Sequence, residues 1–298
     1  MKVVLGAVVL ALALASSYAD KSSAELPDVY GYHIKYGIPR ATELKKLEAD
    51  PPQANLNGQR IVGGSVVDIS QVPYQVGLVI RILVIFTSVC GGSLISNNRI
   101  VTAAHCHSDG FITANSFTAV LGSNTIMSGG QRIETNNISV HPNWTPSTAE
   151  NDIAILRINP VGLTNVIQPI ALPSGGETSQ NFYGQIAFAS GFGLTSGNIG
   201  NNQVISGVNL RVISNDECRG VYGPWVHNSN ICTSGEGGQG TCQGDSGGPL
   251  AVTSAGRRIL VGVTSFGAAA GCQAGFPAAY ARITSYISWI LNILVFKL

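Results

Sequence analysis

The chain has 298 residues, of which 45% are hydrophobic and 11% are charged, and its formal net charge is +1. This composition is typical of a globular protein and excludes a disordered chain. No run of basic residues stands out, so nucleic acid is not expected as a partner.

Residues 1–19 have the pattern of a secretory signal peptide. Lys2 supplies the positive start, residues 3–15 are apolar, and Ser17-Tyr18-Ala19 forms a small-residue cleavage site. A membrane anchor is the alternative, but a span needs about 20 apolar residues and this stretch is shorter. We therefore expect a secreted, extracellular protein without a membrane span.

Residues 20–60 form a separate region with charges and prolines but no cysteine. Residues 42–48 can make a short helix, which Pro51 and Pro52 would end. The composition changes after Arg60, which predicts a boundary there.

Beyond Arg60, short β-branched and aromatic runs alternate with Gly, Asn, Ser and Pro. Many short strands separated by turns are typical of an all-β sandwich or barrel. Apolar residues at helical spacing after Ser285 predict one C-terminal helix, through Ile287, Ile290, Leu291 and Leu294. The predicted strands are Tyr74–Ile80, Ser93–Ile95, Arg99–Ala103, Phe117–Leu121, Asp152–Ile158, Gln185–Ser190, Val208–Ile213, Leu250–Thr253, Ile259–Ser265 and Ala279–Ile283.

The six cysteines all follow residue 60, and an even number in an exported protein predicts three disulfides. Six cysteines allow about 15 pairings, and the sequence alone leaves these open. Nearest neighbours are the simplest choice. No cysteine or histidine cluster has zinc-ligand spacing, so neither a metal nor a cofactor is expected. The nearest-neighbour pairs are Cys90–Cys106, Cys218–Cys232 and Cys242–Cys272.

Ser246 lies in the run Gly244-Asp245-Ser246-Gly247-Gly248-Pro249, where glycines allow the backbone to approach a substrate closely. A serine nucleophile needs a base and an orienting carboxylate. His105, between small apolar residues and Cys106, is the candidate base. Asp152, at the start of an apolar strand, is the candidate carboxylate, although a strand-end cap is the alternative for that residue alone.

These runs together resemble the chymotrypsin family of serine peptidases over residues 61–298, and most of all the insect midgut chymotrypsins. The histidine, aspartate and serine occur in the family's order. The runs that carry the resemblance are Ile61-Val62-Gly63-Gly64, Cys90-Gly91-Gly92-Ser93-Leu94, Thr102-Ala103-Ala104-His105-Cys106, Asn151-Asp152-Ile153-Ala154-Ile155-Leu156 and the serine run.

The resemblance implies an all-β fold of two packed six-stranded antiparallel β-barrels with a C-terminal helix. It implies that Ser246 attacks the scissile carbonyl, that His105 moves the proton and that Asp152 orients the imidazole. The N–H groups of Gly244 and Ser246 would form the oxyanion hole. The nearest-neighbour cysteine pairs match the core bridges of the family.

The resemblance also implies a zymogen. Cleavage between Arg60 and Ile61 by a trypsin-like activating protease would free the Ile61 amine, which pairs with Asp245. Residues 20–60 would then be the activation propeptide and residues 61–298 the peptidase domain. Because the propeptide has no cysteine, we expect it to leave once it is cut.

By register with the family, Gly240 lies at the floor of the primary substrate pocket, where a trypsin-like enzyme carries Asp. Gly267 leaves the mouth open, Ala278 adds a methyl group, and Ser265 belongs to the same wall. The pocket predicts chymotrypsin-like cleavage after large apolar or aromatic residues. Elastase-like specificity is the first alternative, because one methyl group changes selectivity by about 1–3 kcal/mol only. A catalytically silent binding protein is the alternative of another class.

Two further regions differ from expectation. Residues 122–130 correspond to a loop that binds calcium in trypsin-like relatives, but they contain no carboxylate, so no calcium is expected. Residues 78–86 form an apolar run broken only by Arg81. A buried strand is the simplest interpretation, and an exposed run would be an interaction patch or an aggregation hazard.

From Ile61 onward the only lysine is Lys297, whereas arginines are frequent. Since arginine keeps its charge at high pH, this usage favours an alkaline digestive lumen, with compositional drift as the competing account. The expected partners are protein and peptide substrates, the activating protease and protein inhibitors. We expect a monomer.

Overall fold

A computed structural model of the chain describes residues 29–49, 64–83, 85–194, 204–268 and 270–295. The predicted signal peptide, the Arg60–Ile61 junction and Lys297 lie outside these residues. The described strands are, in chain order, β1 (Ser65–Val66), β2 (Gln75–Ile82), β3 (Phe86–Ser96), β4 (Arg99–Thr102), β5 (Ser116–Leu121), β6 (Gln131–Thr135), β7 (Ile138–Val140), β8 (Ala154–Arg157), β9 (Ile186–Gly191), β10 (Ser206–Ile213), β11 (Asn230–Thr233), β12 (Pro249–Ser254), β13 (Arg257–Phe266) and β14 (Ala278–Arg282).

The strands form two antiparallel sheets, which confirms the predicted fold class. The first sheet has the order β6-β5-β2-β3-β4-β8-β7 and curves into a half-barrel. The second has the order β1-β10-β11-β14-β13-β12-β9, and pairing of β9 with β10 closes six of its strands into a barrel. Closure removes the free edges that would otherwise pair with other chains.

Strand β2 shows how the apolar pattern builds the core. Val76, Leu78, Ile80 and Ile82 are fully buried, while Arg81 points outward. Residues two apart share one face of a strand, so the alternation sets which face enters the barrel. The apolar run of residues 78–86 is therefore mainly a core strand, as its simplest interpretation predicts.

The end of that run behaves differently. Leu83, Ile85 and Phe86 lie at the turn between β2 and β3 and are exposed. These residues form a small apolar tip on the surface.

All ten predicted strands are present. Four further strands were not predicted, namely β1, β6, β7 and β11. Strands β6 and β7 have no fully buried residue, and β1 has two residues only, so none of them has an alternating apolar pattern. Strand β11 is apolar only at Ile231 and Cys232, which is too short a run to stand out.

Three α-helices are described: α1 (Ile38–Ala49), α2 (Asn215–Tyr222) and α3 (Ile283–Val295). Helix α2 is absent from the prediction, although Ser214 and Glu217 form the capping box that marks its start. Helix α3 begins two residues before the predicted cap at Ser285.

The buried face of α3 also differs from the predicted stripe. Ile290 lies on it as expected, but Leu291 is exposed. The other residues of that face are Ile283, Tyr286 and Ile293. Because α3 has apolar residues on nearly all sides, the sequence pattern does not show clearly which face is buried.

Residues 29–49, which we call the N-terminal segment, pack against the sheets as one unit. A turn of π-helix, His33–Gly37, leads directly into α1. The predicted helix over residues 42–48 is thus real but longer. The side chains of the segment that are buried belong to Val29, Tyr32, His33, Arg40, Ala41 and Leu44.

The three disulfides join nearest neighbours along the chain, as the resemblance implies: Cys90–Cys106, Cys218–Cys232 and Cys242–Cys272. The first ties β3 to the turn that carries His105. Bridges of this number are typical of proteins that fold in an oxidising, extracellular compartment. Within the described ranges, every helix is too short or too polar to cross a membrane.

Candidate active site

The three candidate catalytic residues meet where the two sheets face each other. His105 lies in the short 3-10 helix Ala104–Cys106 that follows β4, and Asp152 lies two residues before β8. Both therefore come from the first sheet. Ser246 precedes β12 and comes from the second sheet. All three side chains are buried.

Asp152 holds His105 by two hydrogen bonds. Its Oδ2 accepts from His105 Nδ1 at 2.7 Å, and its Oδ1 accepts from the His105 backbone N–H at 2.9 Å. Because an ionised carboxylate can only accept, the proton of the neutral imidazole is on Nδ1. Nε2 is then free to accept a proton from a nucleophile.

Ser265 also hydrogen-bonds the Asp152 carboxylate. Its Oγ donates to Asp152 Oδ2 at 2.6 Å. Ser265 is a predicted residue of the substrate pocket. In the structure it lines that cavity and also contacts Asp152. No short motif marks this second contact, because it joins residues that are far apart in the chain.

The loop of Ser246 is fixed by close backbone contacts. Gly91 N–H donates to the Ser246 carbonyl at 2.6 Å, and Gly247 N–H donates to the Thr264 carbonyl at 2.8 Å. Gly247 has a φ of 79°, and a Cβ there would lie 2.2 Å from Thr102 Oγ1. Only glycine fits this position, which explains the residue that follows Ser246.

Asp245, which precedes Ser246 in the chain, is buried. Its Oδ1 accepts from Gly193 N–H at 2.8 Å and its Oδ2 from Cys242 N–H at 2.9 Å. Burial nevertheless raises the pKa of Asp245 to about 6, and the two N–H groups and the charge of Arg40 offset this only in part. The described surroundings thus give Asp245 less positive charge than a buried carboxylate needs.

Tyr32 of the N-terminal segment packs against the candidate base. Its ring lies edge-on to the His105 imidazole, with centroids 4.8 Å apart, and its hydroxyl donates to the Val89 carbonyl at 2.9 Å. Burial raises the pKa of Tyr32 well above its ordinary value, and the neighbouring Ser246 side chain and Gly244 backbone offset this in part. Tyr32 also lines the same cavity as Ser246.

His105 lacks a hydrogen-bond partner on one ring nitrogen. Among the described residues, its Nε2 is buried without such a partner. Ser246 and Tyr32 line the same cavity. The candidate nucleophile and the candidate base are thus not hydrogen-bonded while the N-terminal segment is in place.

Arg40 anchors the same segment to the second sheet. It is buried and donates to the carbonyls of Phe192 at 2.9 Å and Gly193 at 3.2 Å. Within its own helix it pairs with Glu43 at 2.7 Å. The stem of Arg40 packs on Gly244, so that the segment also covers the backbone next to Ser246.

His33 makes docking of the segment dependent on pH. It is fully buried, its Nδ1 hydrogen-bonds Ser88 Oγ at 2.9 Å, and its backbone N–H donates to Asp109 Oδ2 at 2.8 Å. Burial lowers the pKa of His33 to about 4; the charge of Asp109 opposes this shift, and His105 and His107 add to it.

We therefore predict that the uncut chain loses stability in acid through His33. A depressed folded-state pKa gives stability that is present above the unfolded value of about 6.5 and is lost as the pH falls towards 4. From pH 7.5 to pH 4.5 the wild type should lose about 2–3 kcal/mol relative to His33→Asn, which does not titrate. Urea unfolding of both proteins at the two pH values measures this. Equal losses in both would contradict it.

The predicted pocket residues Gly240, Ser265, Gly267 and Ala278 line one cavity next to Ser246. None of the described residues around this cavity is charged. A Cβ added at Gly240 or Gly267 would meet nothing within 4 Å, so both glycines face open space. The cavity has further lining residues that were not predicted. They include Tyr36 of the N-terminal segment and Thr241, Cys242, Phe276 and Pro277.

Loop 122–130 receives a carboxylate from outside itself. Glu48 of the N-terminal segment accepts from Ile126 N–H at 3.0 Å and Met127 N–H at 2.9 Å through Oε1, and from Ser128 Oγ at 2.7 Å through Oε2. The loop thus directs hydrogen-bond donors towards Glu48, and not the oxygen lone pairs that a cation would need. The loop is thus arranged around an anion in this state.

One group of possible metal ligands occurs in the described residues, formed by Cys90, His105 and Cys106. The two cysteines are joined in a disulfide, so neither offers a thiolate. His105 is engaged by Asp152. This group therefore consists of the candidate base and the neighbouring disulfide.

A serine beside an imidazole that is oriented by a buried carboxylate is the arrangement of a serine hydrolase. The sequence pattern of the Trypsin family matches residues 61–290, and the chain belongs to this family of serine endopeptidases.

Curated relatives agree. Brachyurin of Leptuca pugilator is 40% identical over 77% of this chain and 96% of its own, and collagenase of Hypoderma lineatum is 38% identical over 78% and 86%. Serine protease 1 of Drosophila melanogaster is 36% identical over 78% and 84%. The solved structure of HL collagenase superposes with a TM-score of 0.73 at 36% identity, covering 80% of this chain and all of that one.

Proposed function

We propose that this chain is the secreted zymogen of a chymotrypsin-like serine endopeptidase. The observation that carries the proposal is the geometry of Asp152, which accepts from both the ring and the backbone of His105 and leaves Nε2 as the acceptor. In this reaction His105 Nε2 takes the proton of Ser246 as its oxygen attacks the scissile carbonyl. The imidazolium then returns the proton to the leaving amine.

The N–H groups of Gly244 and Ser246 would bind the oxyanion of the tetrahedral intermediate. Loss of one such donor typically costs about 3 kcal/mol of transition-state stabilisation. Water hydrolyses the acyl-enzyme in the second half of the reaction, with His105 again as the base.

Activation would follow cleavage between Arg60 and Ile61 by a trypsin-like protease, which makes residues 1–19 the signal peptide and 20–60 the propeptide. The state of Asp245 supports this. Its carboxylate is buried, and its raised pKa of about 6 reflects too little compensating charge. A newly freed Ile61 ammonium would supply that charge, and the pairing would order the oxyanion hole.

The pocket supports cleavage after large apolar or aromatic residues. Its described lining has no carboxylate to bind Lys or Arg, and Gly240 and Gly267 leave it open. Elastase-like specificity stays as the alternative because Ala278 narrows the slot. Profiling cleavage sites of the activated enzyme on a mixed peptide library tests both, and predominant cleavage after Lys or Arg would exclude them. Collagen belongs in the same test, given the name of the Hypoderma lineatum relative.

Introducing a carboxylate at the pocket floor should redirect specificity. In Gly240→Asp the added side chain meets no other atom and places a carboxylate inside the pocket. Because this charge is buried, only a basic substrate residue neutralises it. The ratio of kcat/KM for an Arg substrate over a Phe substrate should rise at least about 100-fold. Gly162→Asp, also unobstructed but outside the pocket, is the matched control and should leave the ratio unchanged. An unchanged ratio in Gly240→Asp would argue against this residue as the floor.

The silent-homologue alternative is tested by a serine-directed covalent inhibitor. The cut chain should be labelled at Ser246, and absence of labelling beside a labelled control peptidase would favour a binding role. An alkaline digestive lumen is the proposed setting, supported by the arginine-rich, lysine-poor domain. Substrate proteins, the activating protease, protein inhibitors and a monomeric state complete the proposal.

A further inference from the structure

We propose that the N-terminal segment is an inhibitor that binds the active-site cleft of the activated enzyme non-covalently, so that cleavage at Arg60 does not by itself release it. This inference rests on the proposed function, because it concerns the enzyme that the cut produces. It replaces the expectation that a propeptide without cysteine simply leaves.

The segment blocks each functional element with one residue. Tyr32 packs edge-on against the His105 imidazole and lines the same cavity as Ser246. Tyr36, one turn further on, lines the substrate pocket together with Gly240. A substrate therefore cannot enter the pocket or reach the nucleophile until both tyrosines have moved.

The blocking group is not a substrate group. The group of Tyr32 that enters the site is a phenol, which offers no carbonyl carbon for attack. A chymotrypsin-like enzyme would cleave a chain after a tyrosine whose side chain enters the pocket and whose carbonyl faces the serine. The Tyr32 hydroxyl is instead anchored on the Val89 carbonyl at 2.9 Å. This mode of binding is that of an inhibitor.

Several anchors of the segment lie on the first sheet and its loops. His33 contacts Ser88 of β3 and Asp109, and Glu48 accepts three hydrogen bonds from residues 126–128. These partners are distant in sequence from the pairing of Ile61 with Asp245. They are therefore expected to keep their positions when that pairing forms.

Close packing makes the fit specific. Gly37 has no room for a side chain, since a Cβ there would lie 2.0 Å from Ser88 Oγ and 3.0 Å from the Tyr32 ring. Ala41 and Leu44 lie on the buried face of α1. All these anchors lie within residues 29–49, so they survive a cut at Arg60. What the cut removes is the tether, which lowers the effective concentration of the segment and makes inhibition depend on dilution.

The test uses the full chain activated by immobilised trypsin, which is then filtered off. Activity on a small chromogenic substrate and covalent labelling of Ser246 are measured first, since these decide the proposed function separately. A synthetic peptide of residues 29–49 is then added. We expect competitive inhibition, with KM raised and kcat unchanged, at roughly 10 µM peptide or less.

Variant peptides identify the binding mode. Tyr32→Ala should weaken inhibition roughly 30-fold or more, as expected for a central buried aromatic anchor. Tyr32→Phe, which keeps the ring, should weaken it less. Gly37→Ala should weaken it about 10-fold or more through the clash with Ser88. Lys45→Ala is the matched control, because Lys45 is exposed on α1, and it should inhibit like the wild type.

Two further measurements keep the proposal falsifiable. Mass spectrometry should find the peptide intact after incubation, whereas rapid cleavage after Tyr32 or Tyr36 would make it a substrate and overturn the proposal. If the cut chain is inactive, fluorescence anisotropy with labelled peptide and cut Ser246→Ala chain still reports binding directly. No binding at about 1 mM peptide would overturn the proposal, since even the millimolar effective concentration of a tether would then not hold the segment.

Discussion

Replacing Asp152 with asparagine is expected to lower kcat of the activated enzyme about 10⁴-fold while leaving the fold intact. Asp152 Oδ2 accepts from His105 Nδ1 at 2.7 Å. An amide NH₂ at that position would face Nδ1 as a donor and force it to become the acceptor. The proton would move to Nε2, which could then no longer accept from Ser246.

The structure explains why the loss should be catalytic and not structural. The asparagine oxygen can still accept from the His105 backbone N–H, as Asp152 Oδ1 does at 2.9 Å. Ser265 Oγ can rotate, because a hydroxyl both donates and accepts. We therefore expect unchanged circular dichroism and an unchanged midpoint in urea for Asp152→Asn.

Ser265→Ala is the matched control for this prediction. It removes one hydrogen bond to the same carboxylate, at 2.6 Å, without changing the tautomer of His105. Its kcat should fall no more than about 10-fold, the equivalent of one hydrogen bond. A kcat for Asp152→Asn within 10-fold of the wild type would show that Asp152 is a strand-end cap and not the orienting carboxylate.

Much of the fold could be predicted because apolar patterns are local features of the sequence. Strand β2 is a nearly continuous buried run in which only Arg81 is exposed, and this pattern alone identifies it. Strands β6 and β7 lie at the two opposite edges of the first sheet, where pairing depends on neighbours rather than on burial, so their sequences carry little signal. The start of α3 was misplaced because nearly every side of that helix is apolar.

The candidate site, too, could be predicted only in part. His105, Asp152 and Ser246 stand in specific runs, and the structure brings them together where the sheets meet. Ser265 as a partner of Asp152 was missed, since that contact joins positions 113 residues apart. The position of Tyr32 was also missed. A tyrosine in a polar, cysteine-free region gives no signal of its target, which is created by the cleft of the folded domain.

Replacing Asp245 with asparagine is expected to give a chain that is cut normally at Arg60 but stays inactive. Asparagine has no charge with which to hold the Ile61 ammonium. Removing one partner of such a buried pair typically costs 3–5 kcal/mol. The cut variant should therefore have a kcat/KM at least about 100-fold below that of the cut wild type.

The same substitution should leave the uncut chain stable, which separates an activation defect from a folding defect. An acid whose folded-state pKa is raised to about 6 destabilises the fold as the pH rises from its unfolded value through 6. Asparagine removes this cost, of roughly 3 kcal/mol at pH 7, but loses the acceptor for Cys242 N–H, which costs about 1–3 kcal/mol. Urea unfolding at pH 7 should thus place the uncut variant within about 2 kcal/mol of the wild type.

Asp216→Asn is the matched control, since Asp216 is an exposed aspartate on α2 and should activate normally. N-terminal sequencing of each cut chain must show Ile61 before the activities are compared. If cut Asp245→Asn matches the wild type in kcat/KM, Asp245 is not the switch. If the variant is inactive but also unfolded at pH 7, its role is structural. Only an inactive, folded and correctly cut variant supports a carboxylate that waits in the precursor for a charge that the cut provides.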